Sequence, residues 1–169
     1  MSDTENLSAE FEDILDSTIE DLADYVGFEP LPLGTYKMQF GYEFDTVGDS
    51  NIPTVKVTLT LQEVIEIVGQ GQDSSGNPII AIPEEGRKVF RSYLMRKKDG
   101  SKNEISEGQL KQEILTPLKE VFGGNTIKEI LHNGDGCSMI CTLGIRRRKD
   151  KETKEIRSEN TIKASIVDA

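Results

Sequence analysis

Three side chains in the sequence are suited to nucleophilic or metal chemistry: His132, Cys137 and Cys141. His132 is the only histidine, so a Ser-His-Asp or Cys-His nucleophile system would have to use it. As zinc ligands the three have H-x4-C-x3-C spacing, which matches no usual structural site and lacks a fourth ligand. The cysteines share parity with Met139 along a predicted strand, which is typical of buried core thiols. We therefore expect no bound metal and no cofactor.

Motifs that position a nucleophile or a phosphate are missing from the sequence. It has no G-x-S-x-G elbow, no G-x-x-x-x-G-K-[ST] loop and no G-x-G-x-x-G fingerprint. The 30 acidic residues guarantee carboxylate pairs by chance, and the sequence defines no polar pocket for any pair. We therefore expect a protein that is not an enzyme.

Two stretches rich in lysine and arginine stand apart in a body that is neutral as a whole. Residues 87–102 carry seven bases against one acid, and residues 146–157 carry seven bases against three acids. Single-stranded nucleic acid needs cations for its phosphates and aromatic rings for its bases. The alternative is a pair of solvated charged turns, which are ordinary at protein surfaces. The predicted phosphate-binding residues are Arg87, Lys88, Arg91, Arg96, Lys97, Lys98 and Lys102 in the first stretch, and Arg146, Arg147, Arg148 and Lys149 in the second.

Aromatic residues that could stack on bases lie in two predicted strands. In the third strand, Phe90 and Leu94 are assigned to the core, so Tyr93 is predicted to point outward beside Arg91. The aromatic stripe of the first strand is predicted to be core except near its end, because a strand with one apolar face normally buries it. The predicted stacking residues are therefore Tyr93, Tyr42 and Phe44.

These residues need a scaffold, and the hydropathy pattern predicts five strands to supply it. Alternation at period two predicts strands over about 36–44, 55–61, 87–97, 137–148 and 154–167. The second strand is predicted to continue past a bulge through 64–68, with 79–82 returning as a short hairpin arm.

Helical spacing appears between the third and fourth strands. It predicts a helix from Ser106 to Val121, capped by Ser106 and kinked or divided by Pro117, which lacks a backbone donor. Asn125 is predicted to cap a short second helix over 126–132.

The element order β-β-β-α-β-β is that of an oligonucleotide-binding (OB) barrel, with a mixed α+β sheet as the alternative. The predicted fold class is mainly β, a five-stranded OB-like barrel with a helix between strands 3 and 4. In such a barrel the face of strands 2 and 3 and the loop between strands 4 and 5 form the oligonucleotide surface. Both basic stretches are therefore predicted to meet on one face.

The N-terminal 30 residues form a distinct acidic segment. They hold ten carboxylates and no Lys or Arg, and subtracting these ten from the total of 30 acids leaves 20 acids against 20 bases in 31–169. The predicted domains are thus an acidic amphipathic helical arm over 1–30 and an OB-like barrel over 31–169. The helix, over about 8–26, either packs on its own domain, occupies a basic groove or docks on a partner. Its predicted partner-binding residues are Leu7, Phe11, Ile14, Leu15 and Leu22.

A family resemblance lies in the opening of the first strand. Residues 28–36 read F-x-P-L-P-x-G-x-Y after the acidic leader, and a strand-turn-strand closes the chain around the run of arginines at 146–148. This layout resembles small bacteriophage proteins related to single-stranded DNA-binding and recombination-associated proteins. The resemblance implies an OB-type fold and DNA binding during phage replication. Many such proteins carry an acidic tail at the C-terminus, whereas here it is N-terminal, which leaves its role in recruiting partners open.

The leading hypothesis is non-enzymatic binding of single-stranded DNA in phage DNA replication or recombination. The alternative is a protein-interaction or virion-associated module that acts through the acidic helix without DNA; an accessory nuclease or inhibitor factor is a third reading. Expected partners are single-stranded DNA and replication or recombination proteins, and a homo-oligomer is compatible with the sequence. No membrane span or secretory signal is expected, and two cysteines suit a reducing cytoplasm, which for a viral protein is that of the host.

Overall fold

The computed structural model of the chain describes residues 15–16, 30–79, 83–149 and 153–168. Its centre is one antiparallel sheet of five strands, in the order β3-β2-β1-β4-β5. The strands are β1 (Leu33–Val47), β2 (Ile52–Gly69), β3 (Lys88–Leu94), β4 (Ser138–Lys149) and β5 (Ile156–Val167). The prediction of a mainly β fold with five strands is confirmed, and the described sheet is not closed into a barrel.

The long strand β2 bends as it pairs with β1. Three register shifts each leave one extra residue on β2, namely Gln62, Ile65 and Val68. Such bulges increase the local twist and let a sheet curl. The predicted continuation of this strand past a bulge is thus confirmed, whereas of the proposed hairpin arm only Ile79 is described, and it is buried.

Side chains from every strand meet on the concave face of the sheet. They alternate with solvent-facing positions, as period-two burial requires. The largest are Tyr36, Met38 and Phe40 on β1, Leu59 and Leu61 on β2, Tyr93 on β3, and Met139 and Leu143 on β4.

One helix covers this core between β3 and β4, and it widens in the middle. Segment α1 (Glu104–Leu110) passes into a π-helical turn (Lys111–Leu115) and then into α2 (Thr116–Phe122). Pro117 explains the widening, because it has no N–H for the carbonyl of Glu113 four residues earlier and its ring would clash there. Ser165 of β5 donates its hydroxyl to that carbonyl instead. Pro117 therefore changes the helical pitch, where the sequence predicted a kink or a division.

The helix caps differ from those predicted. Asn103 caps α1 by accepting a hydrogen bond from the Ser106 N–H at 3.2 Å, so Ser106 lies inside the helix. Thr126 caps the short helix α3 (Ile127–Gly134) by accepting from the Glu129 N–H at 3.1 Å, in the role predicted for Asn125. Leu131 of α3 packs in the same core as α1 and α2.

Of the predicted acidic arm over 1–30, the structure describes Leu15, Asp16 and Pro30. Leu15 is helical and 70% exposed. The predicted partner-binding residues Leu7, Phe11, Ile14 and Leu22 lie outside the described residues. Within the described part of the chain, the helices are too short and too polar to cross a bilayer.

Candidate nucleic-acid interface

Strand β3 faces the opposite way from the prediction. Tyr93, predicted to point outward, is fully buried, and Phe90, predicted to be core, is 57% exposed. The cause is the pairing with β2, in which Tyr93 lies opposite Val55 and Phe90 opposite Thr58. Because paired residues share a face, the apolar face of β2 fixes which side of β3 is buried. Tyr93 therefore cannot stack a base in this conformation.

Arg91 shares the buried side with Tyr93 and is not available to phosphate. Its Nη2 donates to both carboxylate oxygens of Glu113, at 2.9 and 3.2 Å, and both side chains are about one-tenth exposed. Burial raises the pKa of the Glu113 carboxyl, and the Arg91 guanidinium opposes that rise. In this arrangement Arg91, predicted to bind phosphate, is instead paired with Glu113.

The outer face of β1, β2 and β3 carries the aromatic side chain that the sequence assigned to the core. One cross-strand row runs from Gly41 of β1 through Thr58 of β2 to Phe90 of β3. The next row runs from Gln39 through Thr60 to Lys88. A ring that exposes more than half of its surface next to a lysine suits the stacking of a nucleotide.

Gly41 adds no side chain to this face of the sheet. A Cβ built at this position would meet only the Thr58 carbonyl oxygen, at 3.8 Å, which is an ordinary van der Waals contact. The fold therefore has room for a larger residue here. Gly41 leaves the surface beside Phe90 flat, and we call the surface formed by Gln39, Gly41, Thr58, Thr60, Lys88 and Phe90 the outer platform.

Four of the remaining bases of the first stretch lie at the exit of β3. Lys97 and Lys98 are exposed and form no ion pair with the described residues. Arg96 and Lys102 approach Glu107 of α1 at 3.5 and 3.4 Å. Arg87, just before β3, is half-buried. Lys88, Lys97 and Lys98 are therefore the cations of this stretch most open to a phosphate.

The second basic stretch projects from the β4–β5 hairpin. Arg146 donates to Glu159 at 2.5 Å, and the guanidinium of Arg148 lies 3.8 Å from the same carboxylate. Arg147 reaches Gln72 in the β2–β3 connection at 3.4 Å. Lys149 is exposed. The described part of this hairpin carries six bases against two acids, so it remains positively charged after this pairing.

The two basic stretches lie at opposite ends of β2. The exit of β3 is tied to the start of β2 by the Met95 N–H, which donates to the Pro53 carbonyl at 2.9 Å. The β4–β5 hairpin instead contacts Gln72, beyond the far end of β2. The exit of β3 and the β4–β5 hairpin therefore do not adjoin, and the outer platform lies along β2 between them.

The other two predicted stacking residues lie near the β1–β2 hairpin. Tyr42 is half-buried and packs between Phe40 and Phe44, at ring-centroid distances of 6.1 and 5.4 Å. Phe44 is 52% exposed and lines an open apolar cavity of about 290 Å³ with Met95 and Ile127. Phe44 is thus accessible as predicted, on the side of the hairpin that faces α3.

The cysteines and the histidine do not form a site. Cys141 is buried, and burial raises the pKa of its thiol to about 12. Cys137 is half-buried against the core, and His132 is exposed near the end of α3. Within the described ranges, no cluster of His, Cys, Asp and Glu could hold a metal ion.

No protein-family model matches the chain, and none of the curated proteins is similar to it in sequence.

Proposed function

We propose that this protein binds single-stranded DNA on the outer platform and that its sheet is a partly open OB-type barrel. The strand order supports the barrel, because β3 and β5 form the two edges and closure requires only that these edges meet. The helix spans that gap, with Glu113 contacting Arg91 of β3 and Ser165 of β5. Strands 2 and 3 form the binding face in OB folds, and the outer platform belongs to these strands and β1.

The observation that carries the proposal is Phe90, which exposes more than half of its surface on a sheet face beside Lys88. A base stacks on the ring, and Lys88 contacts the neighbouring phosphate. Lys97 and Lys98 extend the path of the backbone at the exit of β3. Gly41 leaves room for the sugar, because no side chain rises there. The L-P-x-G-x-Y opening is the feature that supports a role in phage DNA replication or recombination.

Salt-dependent binding tests the proposal. The full chain is titrated with a fluorescent single-stranded oligonucleotide and with the duplex at several salt concentrations. We expect a preference for the single strand and a log–log slope of about 0.7 per phosphate contact. Replacing Lys88, Lys97 and Lys98 by Gln lowers that slope by about 2. Replacing Lys111, Lys119 and Lys163 by Gln is the charge-matched control, since all three are exposed away from the outer platform. An equal loss in both variants would refute a defined path.

A protein-interaction module acting through the acidic arm is the second candidate function. Leu15, one of its predicted contact residues, is 70% exposed, and an exposed leucine on an amphipathic helix is typical of a docking face. The titration above separates the two candidates, because the second requires no affinity for DNA.

A further inference from the structure

The open apolar cavity beside Phe44 lies at one end of the buried face of the sheet. Phe44 pairs with Val55 of β2, and Val55 pairs with Tyr93 of β3, so the three side chains share the core-facing side. Gly41 of the outer platform differs in parity from Phe44 and belongs to the opposite face. The cavity is therefore separate from the proposed DNA surface. The other residues that line it are Asp45, Pro53, Thr54, Met95, Ile127 and Lys128.

The wall of the cavity is apolar, and its polar groups already have partners. The Thr54 hydroxyl donates to the Ile52 carbonyl at 2.9 Å, and the Met95 N–H donates to the Pro53 carbonyl at 2.9 Å. A nucleobase placed here would lose hydrogen bonds to water without replacing them, whereas an aliphatic or aromatic side chain would lose none. The cavity therefore favours an apolar group over a base.

The size of the cavity suits a single side chain. Its volume of about 290 Å³ is at the lower end of the range for small-molecule sites, and it is open on one side. Phe44 is 52% exposed and Ile127 is 37% exposed, so both present apolar surface that an inserted group would cover. A peptide that lies across the opening and inserts one large side chain fits this shape.

The rim of the cavity carries one uncompensated positive charge. The Asp45 carboxylate is paired with Lys56 at 2.9 Å, and Glu129 turns its carboxylate to the Asn125 N–H at 3.0 Å. Lys128 is exposed and forms no ion pair with the described residues. It lies in the first turn of α3, where the helix dipole adds to its charge. A carboxylate next to the inserted side chain would complement this rim.

We infer that the cavity binds an acidic peptide of a partner protein. One large apolar or aromatic side chain of the peptide packs against Phe44 and Ile127, and a neighbouring carboxylate pairs with Lys128. The inference goes beyond the proposed function and does not depend on it, because the outer platform lies on the other face of the sheet.

An NMR titration of the full chain with the peptide acetyl-Asp-Asp-Phe-Asp-Asp-amide tests the inference. We expect saturable shifts of the Met95 and Ile127 methyl resonances, with a dissociation constant below about 1 mM. The same peptide with Ala in place of Phe should bind at least about tenfold more weakly, because the burial of the ring is lost. Asn in place of each Asp should also weaken binding, by about two- to fivefold or more.

Variants of the protein locate the peptide. Ile127→Ser should weaken binding of the Phe peptide by about tenfold, and Lys128→Gln should weaken it by about two- to fivefold. Ile166→Ser and Lys163→Gln are the matched controls on β5, where both residues are exposed, and they should leave the dissociation constant unchanged. The dispersion of the core amide resonances reports whether each variant remains folded.

Three results would overturn the inference. One is that the Phe and Ala peptides give the same shifts, or that neither titration saturates. Another is that Ile127→Ser and Lys128→Gln, both folded, bind the Phe peptide as the wild type does. The third is that a single-stranded oligonucleotide moves the Met95 and Ile127 methyl resonances and the peptide does not, since the cavity would then belong to DNA.

Discussion

Arg91 and Glu113 join the edge of the sheet to the helix through two hydrogen bonds of 2.9 and 3.2 Å. Arg91 lies on β3, and Glu113 lies in the π-helical turn. The backbone carbonyl of Glu113 also accepts a hydrogen bond from the Ser165 hydroxyl of β5. The two edges of the sheet are thus linked through one helical residue. Arg91, which the sequence suggested as a phosphate ligand, therefore stabilises the fold.

Arg91→Ala is predicted to destabilise the protein by about 3–5 kcal/mol, because it leaves the Glu113 carboxylate buried without its partner. Urea unfolding measures the loss. Arg96→Ala is the matched control, since Arg96 is exposed and its contact with Glu107 is worth at most about 1 kcal/mol. Replacing Arg91 and Glu113 together by Met should restore most of the stability. If Arg91→Ala and Arg96→Ala lower the free energy of unfolding equally, the structural role of Arg91 is contradicted.

Two buried tyrosines should respond differently to loss of the hydroxyl. Tyr36 donates to the Pro32 carbonyl at 2.5 Å, so Tyr36→Phe is predicted to cost about 1 kcal/mol in the free energy of unfolding. The Tyr93 hydroxyl has no hydrogen-bond partner among the described residues, so Tyr93→Phe is predicted to be neutral or stabilising. A loss from Tyr93→Phe as large as that from Tyr36→Phe would show that the Tyr93 hydroxyl is hydrogen-bonded.

Alkaline pH is predicted to destabilise the fold. Burial raises the pKa of Tyr36 and that of Cys141 each to about 12, and it also raises the pKa of Tyr93. The unfolded chain therefore loses these protons first, from about pH 9 to 10. Stability falls as pH rises through the unfolded values, by roughly 1 kcal/mol per pH unit for each group, and levels off above the folded values. Urea unfolding at pH 8 and pH 10.5 measures the fall in the free energy of unfolding. Tyr36→Phe should make that fall smaller.

The acidic arm is predicted to weaken DNA binding. Ten carboxylates without a base repel phosphate, and a tethered segment acts at an effective concentration commonly in the millimolar range. Deleting residues 1–27 should therefore tighten single-stranded DNA binding, most at low salt, where the repulsion is least screened. Anisotropy titration of both chains measures this. Unchanged affinity in a folded deletion variant would mean that the arm has no influence on the interface.

The strand pattern was predictable from the sequence because period-two alternation depends on local burial. The number and order of the strands follow from it, and so does the continuation of β2 past a bulge. The sequence does not predict which face of β3 is buried, because each of its two faces carries two large apolar or aromatic side chains. Only the register with β2 decides that Tyr93 is buried and Phe90 exposed. The separation of the two basic stretches likewise depends on which strand ends adjoin, which no local pattern encodes.

Phe90→Ala tests the central claim most directly. Phe90 is 57% exposed on the outer platform, so the substitution should leave the urea unfolding curve nearly unchanged. If a base stacks on the ring, the affinity for single-stranded DNA falls by about 1–3 kcal/mol, which is roughly 5- to 150-fold. Ile166→Ala, at a similarly exposed position on β5, should leave that affinity intact. The account is contradicted if an equilibrium titration with the same oligonucleotide gives equal dissociation constants for the wild type and Phe90→Ala.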